Sequence, residues 1–306
     1  MHTCRNCGAA NLRDLGFIGA LAPFFLKRVF RSELVTRLPA VPWKKAIQRA
    51  TRPVHALISR LHPQVVAVEL QFCPNCSFVQ AKYPFADDAI ARLYADYRSE
   101  SYNRERIRYE PSYGAVAGKV GGYTEGGVDR VPALTRWLHL HIDIGDGSML
   151  DFGGDDGRFL PTFPGPKNVF EISDVSPAQG VTRIAMESDL KTYSYVQIAH
   201  VLEHVTDPLG LARKVASLVE ENGYLLVEVP QDLPDEIFDT LRSNAPVNSL
   251  PIHEHINSYS VLAVRKLLEA LGLSVVAVEA VPIVSPMSAQ SFIRGLAQRL
   301  VPTDPL

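Results

Sequence analysis

From residue 149 onward, short apolar runs bounded by turn residues alternate with stretches of helical periodicity, the pattern of a layered α/β domain. Residues 149–160, MLDFGGDDGRFL, predict a buried strand, a tight turn and the start of a helix. Residues 168–173 read as a second strand, 195–201 as the fourth and 224–230 as the fifth. Asp207-Pro208 opens a helix before the fifth strand, and Asn222-Gly223 closes it. A further helix follows Ser260 and stops at Gly272. Residues 273–281 and 291–299 are the last strand candidates, although the second also scans as a helix.

Upstream the pattern is less regular. Residues 87–97 and 131–141 predict helices, and six glycines within 114–127 predict a mobile connection or lid base. Between 27 and 61, apolar residues at helical spacings are broken by Pro39, Pro42 and Pro53 into short amphipathic pieces. The organisation so predicted is a module over 1–86, a helical and glycine-rich connection or lid over 87–130, and a Rossmann-like α/β domain over 131–306.

A formal net charge of −2 makes no case for nucleic acid as a partner. The charge is unevenly spread, however. Lys27, Arg28, Arg31, Arg37, Lys44, Lys45, Arg49, Arg52 and Arg60 stand against the single acid Glu33. Residues 27–62 therefore read either as a solvated basic face or as an element that touches an anionic membrane or a lipid-linked acceptor. The apolar run 15–26 is too short to span a bilayer and carries no signal-cleavage pattern. The expected location is the cytoplasm, with 27–62 as a peripheral contact at the inner membrane face.

The four cysteines fall in two Cys-x-x-Cys pairs, Cys4 with Cys7 and Cys73 with Cys76, each holding turn residues. Such knuckles aim two thiolates at one ion, so a structural Cys₄ zinc site is the best reading. Two disulfides are the alternative in an oxidising compartment, and a redox pair lacks its usual βαβ surroundings.

In the turn after residue 149, Gly153 and Gly157 follow Asp151 with a spacing that matches neither a dinucleotide fingerprint nor a phosphate loop. Asp155 and Asp156 would repel a pyrophosphate and suit a cationic or hydroxyl-rich ligand. Here the chain resembles the class I S-adenosylmethionine-dependent methyltransferases. The resemblance implies that Asp151, Gly153, Gly154, Asp156 and Gly157 hold the cofactor. A ribose-binding acid is expected after the second strand, where Glu171 and Asp174 compete. The later block HVLEHVTDP, residues 200–208, resembles the motif that follows the fourth strand in these enzymes and sets His200 beside the cofactor. His200, Glu203 and His204 cannot all be core residues, because buried polar groups without partners are costly.

The order Cys-x-x-Cys, Leu-Gly, Cys-x-x-Cys-x-Phe-Val-Gln, then Leu-Tyr-x-x-Tyr, with PIHEHINSYS at 251–260, resembles the deoxysugar C-methyltransferases. In that family a zinc module precedes the methyltransferase fold and a tyrosine reaches the active site, which implies Tyr97 or Tyr94 here. The likeness also implies that Glu254, His255 and His204 surround a sugar acceptor. His255 or His204 is then the base and Glu254 orients the imidazole. Ile252 stands where the family has a tyrosine, which removes that phenol as base. The family carries a further C-terminal domain that this sequence lacks, so carbon and oxygen both remain candidates for the methyl acceptor. The resulting expectation is methyl transfer to a nucleotide-linked sugar or surface glycan. A small-molecule O-methyltransferase and a degenerate scaffold are the rivals. A zinc hydrolase built on His253 and His255 lacks an evident further ligand.

Overall fold

The computed structural model describes residues 3–31, 67–252, 254–284 and 289–301, apart from 98, 116 and 118–122. In chain order the strands are β1 (Arg13–Leu21), β2 (Ala67–Cys73), β3 (Phe78–Ala81), β4 (Thr124–Glu125), β5 (Val128–Asp129), β6 (Met149–Phe152) and β7 (Lys167–Phe170). They continue with β8 (Val181–Ile184), β9 (Tyr193–Ala199), β10 (Val219–Pro230), β11 (Leu250–Ile252), β12 (Asn257–Ser258), β13 (Ser274–Val284) and β14 (Ala289–Gln298).

The larger sheet has the order β5-β4-β13-β14-β10-β9-β6-β7-β8. Its members from β10 to β8 are parallel, while β14 runs antiparallel to β10 and β13 antiparallel to β14. Alternation along β10 explains why both faces are covered. Leu225, Val227 and Val229 pack with the helices Pro208–Ser217 and Val261–Ala270, whereas Leu226 meets the helix Arg130–His139 on the other face. From β6 the chain steps outward to β7 and β8, and β9 then returns to the opposite side of β6. Strand order reverses there, and open α/β sheets bind ligands outside the carboxyl ends of strands at such a reversal.

The smaller sheet, β11-β1-β2-β3-β12, takes its first and last strands from residues 250–258. The module predicted over 1–86 is thus completed by a return of the chain. Its core joins that of the larger sheet, since Cys4, Cys73, Cys76 and Phe78 share one buried cluster with Tyr259, Ala263 and Val264. Asn257, fully buried, donates its side-chain amide to the carbonyls of Leu202 at 2.9 Å and Val205 at 2.7 Å.

Several predicted elements differ in the structure. No helix follows the glycine turn: the chain runs on through turns to β7, because Pro161, Pro164 and Pro166 lack the N–H groups that a helix needs. Asn222-Gly223 lies inside β10, with Asn222 at φ 62, and the preceding helix already ends at Ser217. The helix predicted over 87–97 stops at Tyr94, where Ala95 turns to ψ 131. The Tyr- and Arg-rich run beyond it forms the helix Glu100–Tyr109, capped by Ser99. The far end of the expected glycine-rich lid is an edge hairpin, β4 and β5, whose turn residues Gly126 and Gly127 have φ of 54 and 81. The 291–299 segment resolves as strand. The basic stretch lies outside the described residues except for its first part, 27–31, and no helix among the described residues is long and apolar enough to cross a membrane.

Replacing Asn257 by Ala strands two buried carbonyls. It should lower folding stability by about 2 kcal/mol, read as a reduced urea midpoint with unchanged slope.

Candidate active site

The four cysteines converge although 65 residues separate the pairs. Sγ of Cys4 lies 3.7 Å from that of Cys76, and Sγ of Cys7 lies 3.8 Å from that of Cys73. A tetrahedral ion with metal–sulfur bonds of about 2.3 Å separates its sulfurs by about 3.8 Å. Disulfides are absent from all four. Both knuckles have the same backbone, with Gly8 N–H on the Cys4 carbonyl at 2.9 Å and Ser77 N–H on that of Cys73 at 2.7 Å. Side-chain amides of Asn75 and Asn6 donate to the sulfurs of Cys7 and Cys76 at 3.4 and 3.6 Å. The four residues could therefore hold a metal ion.

At the carboxyl end of β6, Asp151 is buried and the glycines close around it. A Cβ on Gly154 would lie 2.0 Å from the Asp151 carboxyl carbon, and Gly153 and Gly157 sit at φ 73 and 75. Burial raises the Asp151 carboxyl to about 7, against the opposing influence of the neighbouring Gln197 amide. Its Oδ1 has no partner, nor does the buried Nε of Arg130, whose guanidinium lies 4.3 Å above the Phe159 ring. Asp156 is held by Arg158 at 2.6 Å, so the acid pair in the turn is half neutralised. Of the two ribose candidates, Glu171 directly follows β7 and accepts the Asp155 and Ser173 N–H groups at 3.2 and 2.9 Å. Asp174 is exposed.

Across the strand-order reversal, the loop after β9 meets residues 254–259. The main chain joins them, with Ile256 and Asn257 N–H on the Glu203 carbonyl at 2.9 and 3.2 Å. The rings of His204 and His255 come within 4.8 Å of each other. Tyr94 approaches Nδ1 of His204 and the Glu254 carbonyl at 3.1 Å. Because that carbonyl can only accept, the phenol donates to it and Nδ1 of His204 carries the proton. His255 turns Nδ1 to Asp232 at 2.7 Å. The imidazole is thus oriented by Asp232 and not, as expected, by Glu254, whose two oxygens are taken by Arg106 at 2.9 and 3.1 Å. Burial opposes charge on His255, but the Asp232 carboxylate more than offsets it and raises the group to about 9. Burial lowers His204, against the pull of Glu203. Tyr97 packs edge-on against Tyr94 and Tyr102 and keeps about a third of its surface exposed, at 37%. His253 lies outside the described residues.

Residues 128–278 match the family model described as a methyltransferase domain. The match covers just under half of the chain and makes this segment similar to a methyltransferase domain. No curated protein sequence matches the chain. Similar solved structures include 1,6-didemethyltoxoflavin-N1-methyltransferase of Burkholderia thailandensis with bound 1,6-didemethyltoxoflavin and S-adenosylhomocysteine. It is 15% identical, with 73% of this chain and 96% of that one covered and a TM-score of 0.45. Magnesium protoporphyrin IX methyltransferase of Synechocystis, with bound S-adenosylhomocysteine, is 15% identical over 54% of this chain and 81% of that one, TM-score 0.38. Human N-acetylserotonin methyltransferase with S-adenosylmethionine is 16% identical over 68% and 59%, TM-score 0.39.

The segment so matched contains the glycine turn and both histidine loops, and the cysteines lie outside it. His200, expected beside the cofactor, directly follows β9. At φ 58 it points Nε2 to Glu228 at 3.1 Å and joins a buried network in which Arg130 and Arg294 each contact Glu228 at 2.7 Å. Burial raises the pKa of Glu228, yet Arg130, His200 and Arg294 together hold it well below the usual range. Arg106, Arg130, Glu228 and Asp232 went unmarked in the sequence. For Asp232 a signal existed, since it lies in the loop just past a predicted strand; Arg106 acts across long sequence separations and left none.

Ionised Asp151 suits a cationic ligand, so ligand binding should release a proton below pH 7. Calorimetric affinity for S-adenosylmethionine is expected to rise from pH 6 to pH 8 more steeply in the wild type than in Asp151→Asn; equal slopes would detach Asp151 from the cofactor.

Proposed function

We propose that the protein transfers a methyl group from S-adenosylmethionine to a hydroxyl-rich acceptor, a nucleotide-linked sugar or glycan. Several features support the cofactor crevice: the reversal between β6 and β9, the cradle that only Gly154 leaves open, and the unpartnered atoms of Asp151 and Arg130. A methionyl group carries an ammonium and a carboxylate, which match that acid and that guanidinium. Glu171 is proposed for the ribose hydroxyls in preference to exposed Asp174. Bound there, the cofactor supplies an electrophilic methyl on a sulfonium, so the protein's part is alignment and removal of one proton.

The observation that carries the acceptor side is the pairing of His204 with His255 at the same crevice, with Tyr94 and Asp232 holding their Nδ1 atoms. That leaves each Nε2 facing the attacking group: His204, which burial keeps neutral, takes up its proton, while His255, raised to about 9 by Asp232, is charged near neutrality and holds the acceptor oxygen. Tyr97 offers an aromatic edge to a sugar ring, and the Glu254–Arg106 pair supplies polar groups for hydroxyls. The scaffold alternative draws on the acids Asp155 and Asp156 in the turn and on Ile252, and Arg158 answers the first of these in part by pairing with Asp156. We also propose that the Cys₄ cluster holds one structural zinc, which joins the N-terminal sheet to the helix starts at Pro208 and Val261. Leu209 N–H on the Arg5 carbonyl at 3.0 Å and the Asn6 amide on that of Ala263 at 2.8 Å support that role.

His255→Ala should lower turnover at least tenfold while S-adenosylmethionine affinity, measured by calorimetry, changes less than twofold. Unchanged turnover would remove His255 from the reaction. Gly153→Arg should abolish cofactor binding, and failure of folded wild-type protein to bind the cofactor would refute the enzyme reading. Metal analysis should find one zinc that Cys73→Ser releases together with a loss of thermal stability; zinc retained at full stoichiometry would place it elsewhere.

A further inference from the structure

Glu203 is fully buried, and neither of its carboxylate oxygens has a hydrogen-bond partner. Two imidazole nitrogens, Nδ1 of His200 and Nε2 of His204, each stand 3.6 Å from Oε1, too far for a hydrogen bond. A buried carboxylate left so is costly, and its neighbours are arranged as an ion would need them. One Glu203 oxygen and one nitrogen each from His204 and His255 lie within 4.8 Å of one another.

The two imidazoles are also supported as metal ligands usually are. A ligating His ordinarily gives its second nitrogen to a carboxylate or carbonyl, which fixes ring and tautomer. Nδ1 of His255 has Asp232 at 2.7 Å, and Nδ1 of His204 has Tyr94 and the Glu254 carbonyl, the latter at 3.3 Å. Nε2 is the nitrogen left to each. We propose that Glu203, His204 and His255 bind a divalent first-row transition ion, through two imidazoles and one carboxylate with further positions open. Imidazole with carboxylate suits such ions, whereas the Cys₄ cluster takes zinc through sulfur.

This deepens the transferase reading and rests on it only for the ion's use. An acceptor hydroxyl at an open position would be acidified and held in line with the methyl group. The oxygen–methyl bond forms as the carbon–sulfur bond breaks, its electron pair passes to sulfur, and the hydroxyl proton leaves to solvent. The imidazoles then serve as ligands, and the proton that His204 would otherwise accept goes to water.

The test needs neither cofactor nor acceptor. Full-length protein with its Cys₄ site already zinc-loaded is titrated with Co²⁺ at about pH 8, where protons compete less for imidazole. One equivalent should bind with weak visible bands free of thiolate charge-transfer absorption. Glu203→Gln and His255→Gln should each weaken binding at least tenfold without loss of zinc. Asp232→Asn, which touches no ligand position, should weaken it roughly tenfold to a hundredfold. Absence of a second equivalent, or equal affinity in wild type and all three folded variants, overturns the proposal. Failure of cofactor binding in the same preparations would strike the transferase reading and leave the ion site standing.

Discussion

The contact between the loop after β9 and the return segment 254–259 governs much of the molecule. Two backbone N–H groups converge on the carbonyl of Glu203, and the Asn257 amide spans Leu202 and Val205. All of these groups are polar and deeply placed, so each must find its partner inside the protein. That requirement fixes the register of the two loops, and with it the distance between His204 and His255. It also makes β12 an edge strand of the smaller sheet, because Asn257 pairs there with Gln80. One set of hydrogen bonds thus docks the cysteine-bearing sheet and brings the two histidine loops together.

Glu228 sets a second constraint. A carboxylate with no solvent exposure is tolerable only when its charge is met on several sides, and Arg130, Arg294 and His200 meet it. Arg294 extends the network to Glu125, so the β4–β5 hairpin is held to the sheet by charge as well as by its single strand contact. Replacing such a network by apolar groups is often neutral for stability. Its value here is positional, since Arg130 is brought over Phe159 at the end of the glycine turn.

What could be read in the sequence follows from how local each signal is. β6, β9 and β10 are short apolar runs with turn residues at their ends, and they appear close to where they were expected. The cysteine pairs were legible because knuckle spacing is a local requirement, although the long stretch between them hid how they meet. Errors arose where two local signals conflict. Gly153 and Gly157 suggested a helix start, but the prolines at 161, 164 and 166 decide the segment. Asn222-Gly223 reads as a helix end in isolation, yet the pairing of β10 with β9 and β14 overrides it. Asp232 offered only its place just past a predicted strand, and Arg106 was beyond reach because its meaning is entirely tertiary: it matters only through a loop that folding brings to it.

Backbone strain supports the location of the site independently of its side chains. Asp155 and His200 are non-glycine residues at φ 59 and 58, and each follows the carboxyl end of a strand flanking the reversal. A left-handed conformation at such residues costs on the order of 1 kcal/mol or more and persists only where the surroundings over-determine it. At Asp155 the surroundings are the Glu171 carboxylate on its N–H; at His200 they are the Glu228 carbonyl on its N–H and the Glu228 carboxylate on its ring. Gly154 carries the same argument further, for no side chain fits there while Asp151 keeps its carboxyl in place. Two strained turns and an obligatory glycine, all at one end of two adjacent strands, serve no packing purpose that an ordinary loop would not meet. They shape the crevice proposed for the cofactor and the acceptor.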